Sequence, residues 1–342
     1  MSKIMKSILL PLLISAVIFT GCDALNSATQ ARRTASQGAP YEVVTVCVQP
    51  LWEGEFGDSL RMIMRAPDPY LNSEESIFSL FQVTPANLTK LVEDHRNRIM
   101  VDVDKRFQSA GSKVEYDKTA SPQMVLTLTA PSQRALTEYI SENREILVQL
   151  FEKAERDRAV AYAEKYGEKR ISSEIKRSFG VEMDVPKGYV LAKHTDNFMW
   201  LRYEYPSASQ GFMLYSYPYE GKMSLSEGEL YAKRLEFAAE IPGPSDGSYM
   251  TTSSVFPPVY RLVKIGDRVW AEMRGFWDVE NDFMGGPYVS YSTVDKATKR
   301  VFTIDCYIYS PKLDKRNFMR GVEHLVYMIH FPEDSAQVEE SL

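Results

Sequence analysis

Residues 274–288 contain the densest set of side chains that could bind a ligand. The segment combines an arginine, aromatic rings, three carboxylates and a Gly-Gly-Pro turn. In a ligand site the tryptophan would stack against a flat group, the arginine would bind an anionic group, and the aspartates would accept hydrogen bonds. The predicted ligand-binding residues are Arg274, Trp277, Asp278, Asp282, Gly285 and Gly286. Together they predict a small site on a strand-loop-strand edge.

The same segment is also typical of a structural hairpin loop. In that interpretation the aromatic rings complete the core and the glycines adopt positive φ. A Ca²⁺ loop is a variant of the ligand site, but the acidic spacing is not that of an EF-hand, because the twelfth position counted from Asp278 is Val289 rather than a bidentate glutamate. A Gly-Gly turn beside buried aromatic residues is common, so the structural interpretation stands next to the functional one.

Gly243-Pro244-Ser245-Asp246-Gly247 matches the G-x-S-x-G sequence of a hydrolase nucleophile elbow, and His324 and His330 follow later in the chain. The elbow requires a strand before the serine and a helix after it. Here the pattern predicts a helix before and a strand after, and Pro-Ser-Asp-Gly is ordinary turn chemistry. The context therefore argues against a serine hydrolase.

A hydrolase acting on glycans or peptides is the alternative that the acidic loop leaves open. Asp278, Glu280 or Asp282 would act as general acid or base if their carboxylates faced a cleft and lay about 5 to 10 Å from one another. The sequence assigns no residue as catalytic and predicts no cofactor. The chain is therefore expected to be a binding or scaffold protein, with the hydrolase as its alternative.

Composition excludes several function classes. The 342 residues carry a formal net charge of −6 and no strongly basic segment, so nucleic acid is not an expected partner. The four histidines lack paired metal-ligand spacing, so no metal site is predicted. Cys47 and Cys306 lie in strand-like apolar runs, which is typical of buried core residues more than of a disulfide.

The N-terminus has the layout of a bacterial lipoprotein signal. Lys3 and Lys6 precede an apolar run over residues 8–19, and Gly21 stands directly before Cys22. A run of about 12 residues is shorter than the roughly 20 that a membrane-spanning helix needs. We therefore expect a signal peptide over residues 1–21, cleavage before Cys22, and attachment of lipid to that cysteine.

Hydrophobic periodicity predicts two α+β lobes with largely antiparallel sheets and a long helix at their junction. That helix is expected to begin after Ser132 and to run about 30 residues to Tyr166. The second lobe is expected to contain hairpins, which would position the ligand segment. The predicted divisions are a flexible tether over 22–40, lobes over 41–166 and 167–333, and an acidic tail over 334–342.

Several segments also resemble a family. Tyr41-Glu42-Val43-Val44, His95-Arg96-Asn97, residues 241–250 and Phe283-Met284-Gly285-Gly286-Pro287-Tyr288 are similar to an uncharacterised Bacteroidota lipoprotein family, a domain of unknown function. The segment Leu71-Asn72-Ser73-Glu74-Glu75 departs from the Pro-rich form expected there.

The resemblance implies a lipid-anchored envelope protein and assigns no activity. Only one acidic residue, Asp23, follows Cys22 closely, which favours the periplasm-facing leaflet of the outer membrane. The expected partners are the membrane, through the N-terminal lipid, and an envelope protein or small ligand.

Overall fold

The computed structural model describes residues 33–332. The predicted signal peptide, Cys22, most of the predicted tether and the predicted acidic tail lie outside these residues. Within the described range, no helix has the length and apolar character needed to cross a membrane.

The N-terminal lobe is built on a mixed five-stranded sheet in the order β3-β2-β4-β7-β5. The strands of this lobe are β1 (Thr34–Ala35), β2 (Glu42–Val46), β3 (Ser79–Val83), β4 (Asn97–Val103), β5 (Gly111–Tyr116), β6 (Ala120–Ser121) and β7 (Met124–Ala130). In the sheet, β5 pairs antiparallel with β7, whereas the other three pairings are parallel. The sequence did not indicate these parallel pairings. Parallel pairs need long connections between strands. Helices lie in the connections from β2 to β3 and from β3 to β4, whereas residues 104–123, which include β5 and β6, connect β4 to β7.

Five helices belong to this lobe. They are α1 (Gln49–Trp52), α2 (Glu55–Met64), α3 (Lys90–Glu93), α4 (Gln133–Glu142) and α5 (Arg144–Tyr166), with a 3-10 turn at Pro85–Asn87. Ser132 caps α4, since its hydroxyl accepts a hydrogen bond from the backbone N–H of Ala135. The predicted single helix is divided at Asn143, whose side chain donates to the carbonyl of Tyr139 instead of facing solvent.

Ordered structure begins upstream of Tyr41. Strand β1 pairs in parallel with β6, and the backbone N–H of Gln37 donates to the carbonyl of Asp94. These backbone bonds attach residues 34–37, which the sequence assigned to the tether, to the N-terminal lobe.

The C-terminal lobe is built on an eight-stranded antiparallel sheet. Its path is β12-β14-β15-β16-β11-β10-β9, and β13 also pairs with β14. The strands of this lobe are β8 (Glu182–Met183), β9 (Val190–His194), β10 (Phe198–Glu204), β11 (Ser209–Pro218), β12 (Tyr249–Thr252), β13 (Val259–Ile265), β14 (Arg268–Glu280), β15 (Gly285–Asp295), β16 (Arg300–Tyr309) and β17 (Ile329–His330). Together with the first sheet this confirms the predicted α+β class.

Helices cover both faces of the large sheet. They are α6 (Lys169–Phe179), α7 (Glu227–Ala238) and α8 (Arg316–Glu323), with 3-10 turns at Lys222–Leu225 and His324–Met328. Phe179 and Val322 place α6 and α8 in the core on one face, whereas Leu230 and Phe237 place α7 in the core on the other. The face under α7 extends beyond the end of that helix, and this uncovered part forms the candidate site.

The two lobes meet at α8. The Glu75 carboxylate of the N-terminal lobe accepts hydrogen bonds from the backbone N–H groups of Lys315 and Arg316, at 2.9 and 2.7 Å. A carboxylate from one lobe thus satisfies orphan donors at the start of a helix in the other. Arg320 in the same helix reaches Asp68 of the first lobe at 2.9 Å.

Both described cysteines are free and buried, Cys47 in the N-terminal core and Cys306 in the C-terminal core. Burial raises the pKa of the Cys47 thiol to about 11 and also raises that of Cys306. Because the thiolate is the reactive form, both behave as small apolar core residues, as predicted.

Candidate ligand-binding site

An open cleft of about 700 Å³ lies over the large sheet beyond the end of α7. Its floor consists of Trp200, Trp277, Tyr307 and Tyr309. One wall is the loop 241–244 together with Met284, and strand β9 forms the other. We call this space the aromatic cleft. Its size and its mainly apolar lining are those of an ordinary small-molecule site.

Hydrogen bonds fix the aromatic floor. The Trp200 Nε1–H donates to the Tyr307 hydroxyl at 2.7 Å, and the Trp277 Nε1–H donates to the Ile308 carbonyl at 3.0 Å. The Trp277 and Tyr307 rings meet edge to face with centroids 5.6 Å apart. Burial raises the pKa of Tyr307, so its hydroxyl stays protonated and able to donate.

Two glycines make room for these rings. A Cβ atom at Gly211 would lie 2.5 Å from the Tyr307 hydroxyl, and one at Gly286 would lie 2.2 Å from the Ile308 carbonyl and 3.1 Å from Trp277 Nε1. Gly211 faces Tyr307, and Gly286 faces Trp277, on neighbouring strands. The pairing of a small residue with a large one lets the rings lie flat across the sheet.

The rim of the cleft carries one charge of each sign. Arg202 and Glu204 follow Trp200 at two-residue spacing on β10, so the three side chains share a face. Their side chains are 49% and 57% exposed, with Arg202 Nη1 at 3.6 Å from Glu204 Oε1. The Arg202 guanidinium carbon lies 5.7 Å from the centre of the Trp200 ring. The rim can therefore both donate and accept hydrogen bonds beside an aromatic face.

The two loops that the sequence singled out meet beside the cleft. Ser245 donates a short hydrogen bond to Asp282, and Asp282 also accepts from the backbone N–H of Phe283 at 2.6 Å. The hydrogen bond from Ser245, followed by that from Phe283, lowers the pKa of Asp282. Asp282 therefore joins the hairpin loop to the loop whose residues Gly243 and Pro244 line the cleft.

The predicted ligand residues do not form one site. Trp277 lies on the cleft face of β14 but is only 2% exposed, so it supports the floor and offers no free ring for stacking. The half-buried Trp200 occupies the position expected of Trp277. Asp278 pairs with Gly285 and Thr251 across the strands and is not among the residues that line the cleft.

The glycines of the hairpin do not adopt the positive φ that the structural interpretation predicts. Gly285 and Gly286 are strand residues outside the positive-φ region, and the left-handed residue of this loop is Asn281, with φ of 65°. A Cβ at Gly285 would meet the Asp278 carboxylate and the Trp277 carbonyl at 2.8 Å. Close approach of neighbouring strands, and not a turn, is the reason for the glycine pair.

Arg274 lies on the opposite face of β14 from Trp277, toward α8. Its guanidinium donates hydrogen bonds to the carboxylate of Glu272 at 2.8 Å and to the hydroxyl of Tyr291 at 3.1 Å. It also donates a short hydrogen bond to the carboxylate of Glu323. The residue is 7% exposed. The prediction that Arg274 binds an anionic ligand is therefore wrong, since carboxylates of the protein already occupy its donors.

Arg274 belongs to a buried network between the lobes. Glu323 bonds to Arg274 and lies 3.2 Å from Arg320, which itself lies 3.2 Å from Glu152 of α5. The next residue, His324, places Nε2 at 3.0 Å from the hydroxyl of Tyr41 in the first lobe. The cluster His95-Arg96-Asn97 likewise acts within the protein, since Arg96 and Asn97 both bond to Glu155.

The positions of Ser245 and of the loop carboxylates bear on the hydrolase alternative. Ser245 bonds to an aspartate and not to a histidine, and it follows a helix and precedes a strand, as expected. None of Asp278, Glu280 and Asp282 lines the aromatic cleft. Among residues 33–332, no three histidine, cysteine or acidic side chains are grouped closely enough to hold a metal ion.

Sequence reasoning missed Trp200, Arg202 and Glu204. A signal was available, because alternation over Phe198–Glu204 places these three on one face of a strand. It was overlooked because the charges are spread along a strand, whereas those of the hairpin loop stand together.

Two families match the chain, each described as a domain of unknown function. The first, DUF8532, covers residues 36–163, and the second, DUF4837, covers residues 168–328. The resemblance to an uncharacterised domain family is thereby confirmed. No curated protein matches the chain.

Similarity to solved structures is low. The Saccharomyces cerevisiae Ran-binding protein Mog1p is 10% identical, covering 44% of this chain and 91% of its own, with a TM-score of 0.31. A Mog1 point mutant is 9% identical, covering 44% and 89%, with a TM-score of 0.28. The lipid transfer and protein localization domain of human StarD13 is 12% identical, covering 47% and 90%, with a TM-score of 0.16.

Proposed function

We propose that this chain is a lipid-anchored cell-envelope protein that binds a small ligand or a partner in the aromatic cleft. The observation that carries the proposal is the cleft itself, an apolar space with a hydrogen-bonded aromatic floor and one charged rim. Side chains that are fixed before binding lose little entropy when a ligand arrives. Such a floor favours binding, and no nucleophile with its base accompanies it among the residues that line the cleft.

The envelope location rests on the N-terminal sequence. The basic residues, the short apolar run and Cys22 support lipid attachment, and the single acidic residue after Cys22 favours the periplasm-facing leaflet of the outer membrane. Two or more acyl chains would hold the protein firmly, whereas one chain binds a membrane only marginally.

Cys22→Ala is expected to abolish incorporation of radiolabelled palmitate in cells, because it removes the thiol that accepts the lipid. Cys47→Ala is the matched control, since Cys47 is buried in the N-terminal core and should not affect labelling. Equal labelling of wild type and Cys22→Ala, or no labelling of wild type, would contradict the anchor.

Binding in the cleft can be tested in intact cells with a photoreactive diazirine residue. At position 190, where Val190 is 60% exposed on the cleft wall, we expect a reproducible crosslinked adduct. Position 259 is the control, because Val259 is 56% exposed on β13 and does not line the cleft. Adducts of equal yield at both positions, or none at position 190, would argue against a ligand in the cleft.

A further inference from the structure

We infer, on the basis of the proposed binding function, that the ligand of the aromatic cleft is a saccharide. The geometry points to a sugar ring that stacks its apolar face on Trp200 and directs its hydroxyl groups to Arg202 and Glu204. Each part of this assignment follows from a feature of the cleft.

Trp200 supplies a fixed aromatic face. Its strand is held on both sides, by β9 and by β11, and its Nε1–H is bonded to Tyr307 at 2.7 Å. The residue is half-buried and lines the cleft, so part of its side chain remains accessible there. An indole face is electronegative, and it attracts the partially positive C–H groups that cover one side of a pyranose ring.

Arg202 and Glu204 supply the polar contacts. Their separation of 3.6 Å exceeds a hydrogen bond, and neither side chain has a hydrogen bond within the described part of the chain. A guanidinium offers paired donors and a carboxylate offers paired acceptors. Neighbouring hydroxyl groups of a sugar present the complementary acceptors and donors at similar spacing.

The charges of the rim disfavour other ligand classes. A purely apolar ligand, such as an acyl chain or an apolar peptide, would cover Arg202 and Glu204 without giving them partners, which costs free energy. An anionic ligand would gain little, because Glu204 offsets the attraction of Arg202. A neutral ring with one apolar face and a hydroxylated edge satisfies both the floor and the rim.

The test uses the full-length protein in a detergent without a sugar headgroup. Cellotetraose, chitotetraose and maltotetraose are titrated while tryptophan fluorescence and heat are recorded, with an apolar hexapeptide and palmitate as comparison ligands. We expect saturable binding of at least one oligosaccharide. Trp200→Ala should weaken it by about tenfold or more, which corresponds to about 1.4 kcal/mol, because the variant removes the aromatic face.

Two further variants separate loss of binding from loss of folding. Arg202→Ala changes a half-exposed side chain and should weaken sugar binding while leaving the unfolding temperature unchanged. Trp52→Phe replaces a tryptophan of α1 in the other lobe and should leave the affinity unchanged.

Three results would overturn the assignment. They are no binding of any oligosaccharide, equal affinity of wild type and Trp200→Ala, and binding of the peptide or palmitate alone. The last result would leave the proposed binding function intact, whereas loss of the adduct specific to position 190 would reject that function itself.

Discussion

Replacing Arg234 by methionine is expected to destabilise the protein by about 3–5 kcal/mol, because it leaves an unpaired carboxylate in the core. Arg234 and Asp305 are both fully buried, and Arg234 Nε donates to Asp305 Oδ2 at 2.8 Å. The guanidinium also donates to Thr252 Oγ1 at 2.6 Å and lies 3.4 Å from the centre of the Tyr288 ring. Burial raises the pKa of Asp305, and Arg234, followed by a hydrogen bond from Ser290, opposes this rise.

Lys233→Met is the matched control in urea denaturation. Lys233 precedes Arg234 on the same helix, but its partner Glu236 is 61% exposed, so its loss should cost less than about 1 kcal/mol. The double variant Arg234→Met, Asp305→Leu should recover part of the lost stability, since two apolar side chains need no partner. Should Arg234→Met cost no more than Lys233→Met, the buried pair would not stabilise this core.

Local patterns in the sequence predict many of the elements. They predict strands over residues 98–103, 123–129, 198–205 and 211–217, close to β4, β7, β10 and β11, and a helix over 224–239, close to α7. Helix α7 has one buried face, which leaves a periodic pattern in the sequence, whereas β11 is buried on both faces and is marked by a short apolar run. The parallel pairings of the first sheet produce no such pattern, because each strand pairs with residues that are distant from it in the sequence.

The site was predicted less well, for a reason visible in β14. Arg274 and Trp277 are three residues apart, and in a strand such residues point to opposite faces. The sequence predicts one site on a strand-loop-strand edge, but the strand continues to Glu280 and places the two side chains on opposite faces. The sequence also does not show which of Trp200 and Trp277 is the more accessible. Only the packing of Tyr307 and Tyr309 against Trp277 shows that this ring is the covered one.

The buried charges were beyond sequence analysis. Asp305 stands alone in the apolar run of β16, which indicates a buried carboxylate but does not identify Arg234, 71 positions away, as its partner. Glu155 and Asn97 are similarly 58 positions apart. Such pairs form only when tertiary packing removes both groups from water, so no local pattern encodes them.

Stability is expected to fall in two steps as the pH is lowered, because the interface between the lobes contains two groups with depressed pKa values. Burial lowers the pKa of His324 from 6.5 to about 4. The negative charge of Glu323 opposes this decrease, and the positive charges of Arg156 and Arg320 add to it. In the unfolded chain His324 is therefore protonated below about pH 6.5, whereas in the folded protein it is protonated only below about pH 4. This difference in pKa corresponds to about 3 kcal/mol of folding stability, which is lost as the pH falls from about 6.5 to about 4.

Glu323 produces the second step. Burial alone would raise its pKa, but Arg274 and Arg320 outweigh burial and lower the pKa from 4.5 to about 2. Its ionised form stabilises the fold above about pH 4.5, and this stabilisation, again about 3 kcal/mol, is lost as the pH falls toward 2.

Urea denaturation across this pH range separates the two steps. His324→Gln keeps an amide that can bond to the Tyr41 hydroxyl but cannot titrate, so the decrease between about pH 6.5 and 4 should disappear while the lower step remains. His194→Gln, at an exposed position on β9, is the control and should retain both steps. If His324→Gln retained the upper step, some other group would have to take up the proton, and the interface would not be the source of the acid sensitivity.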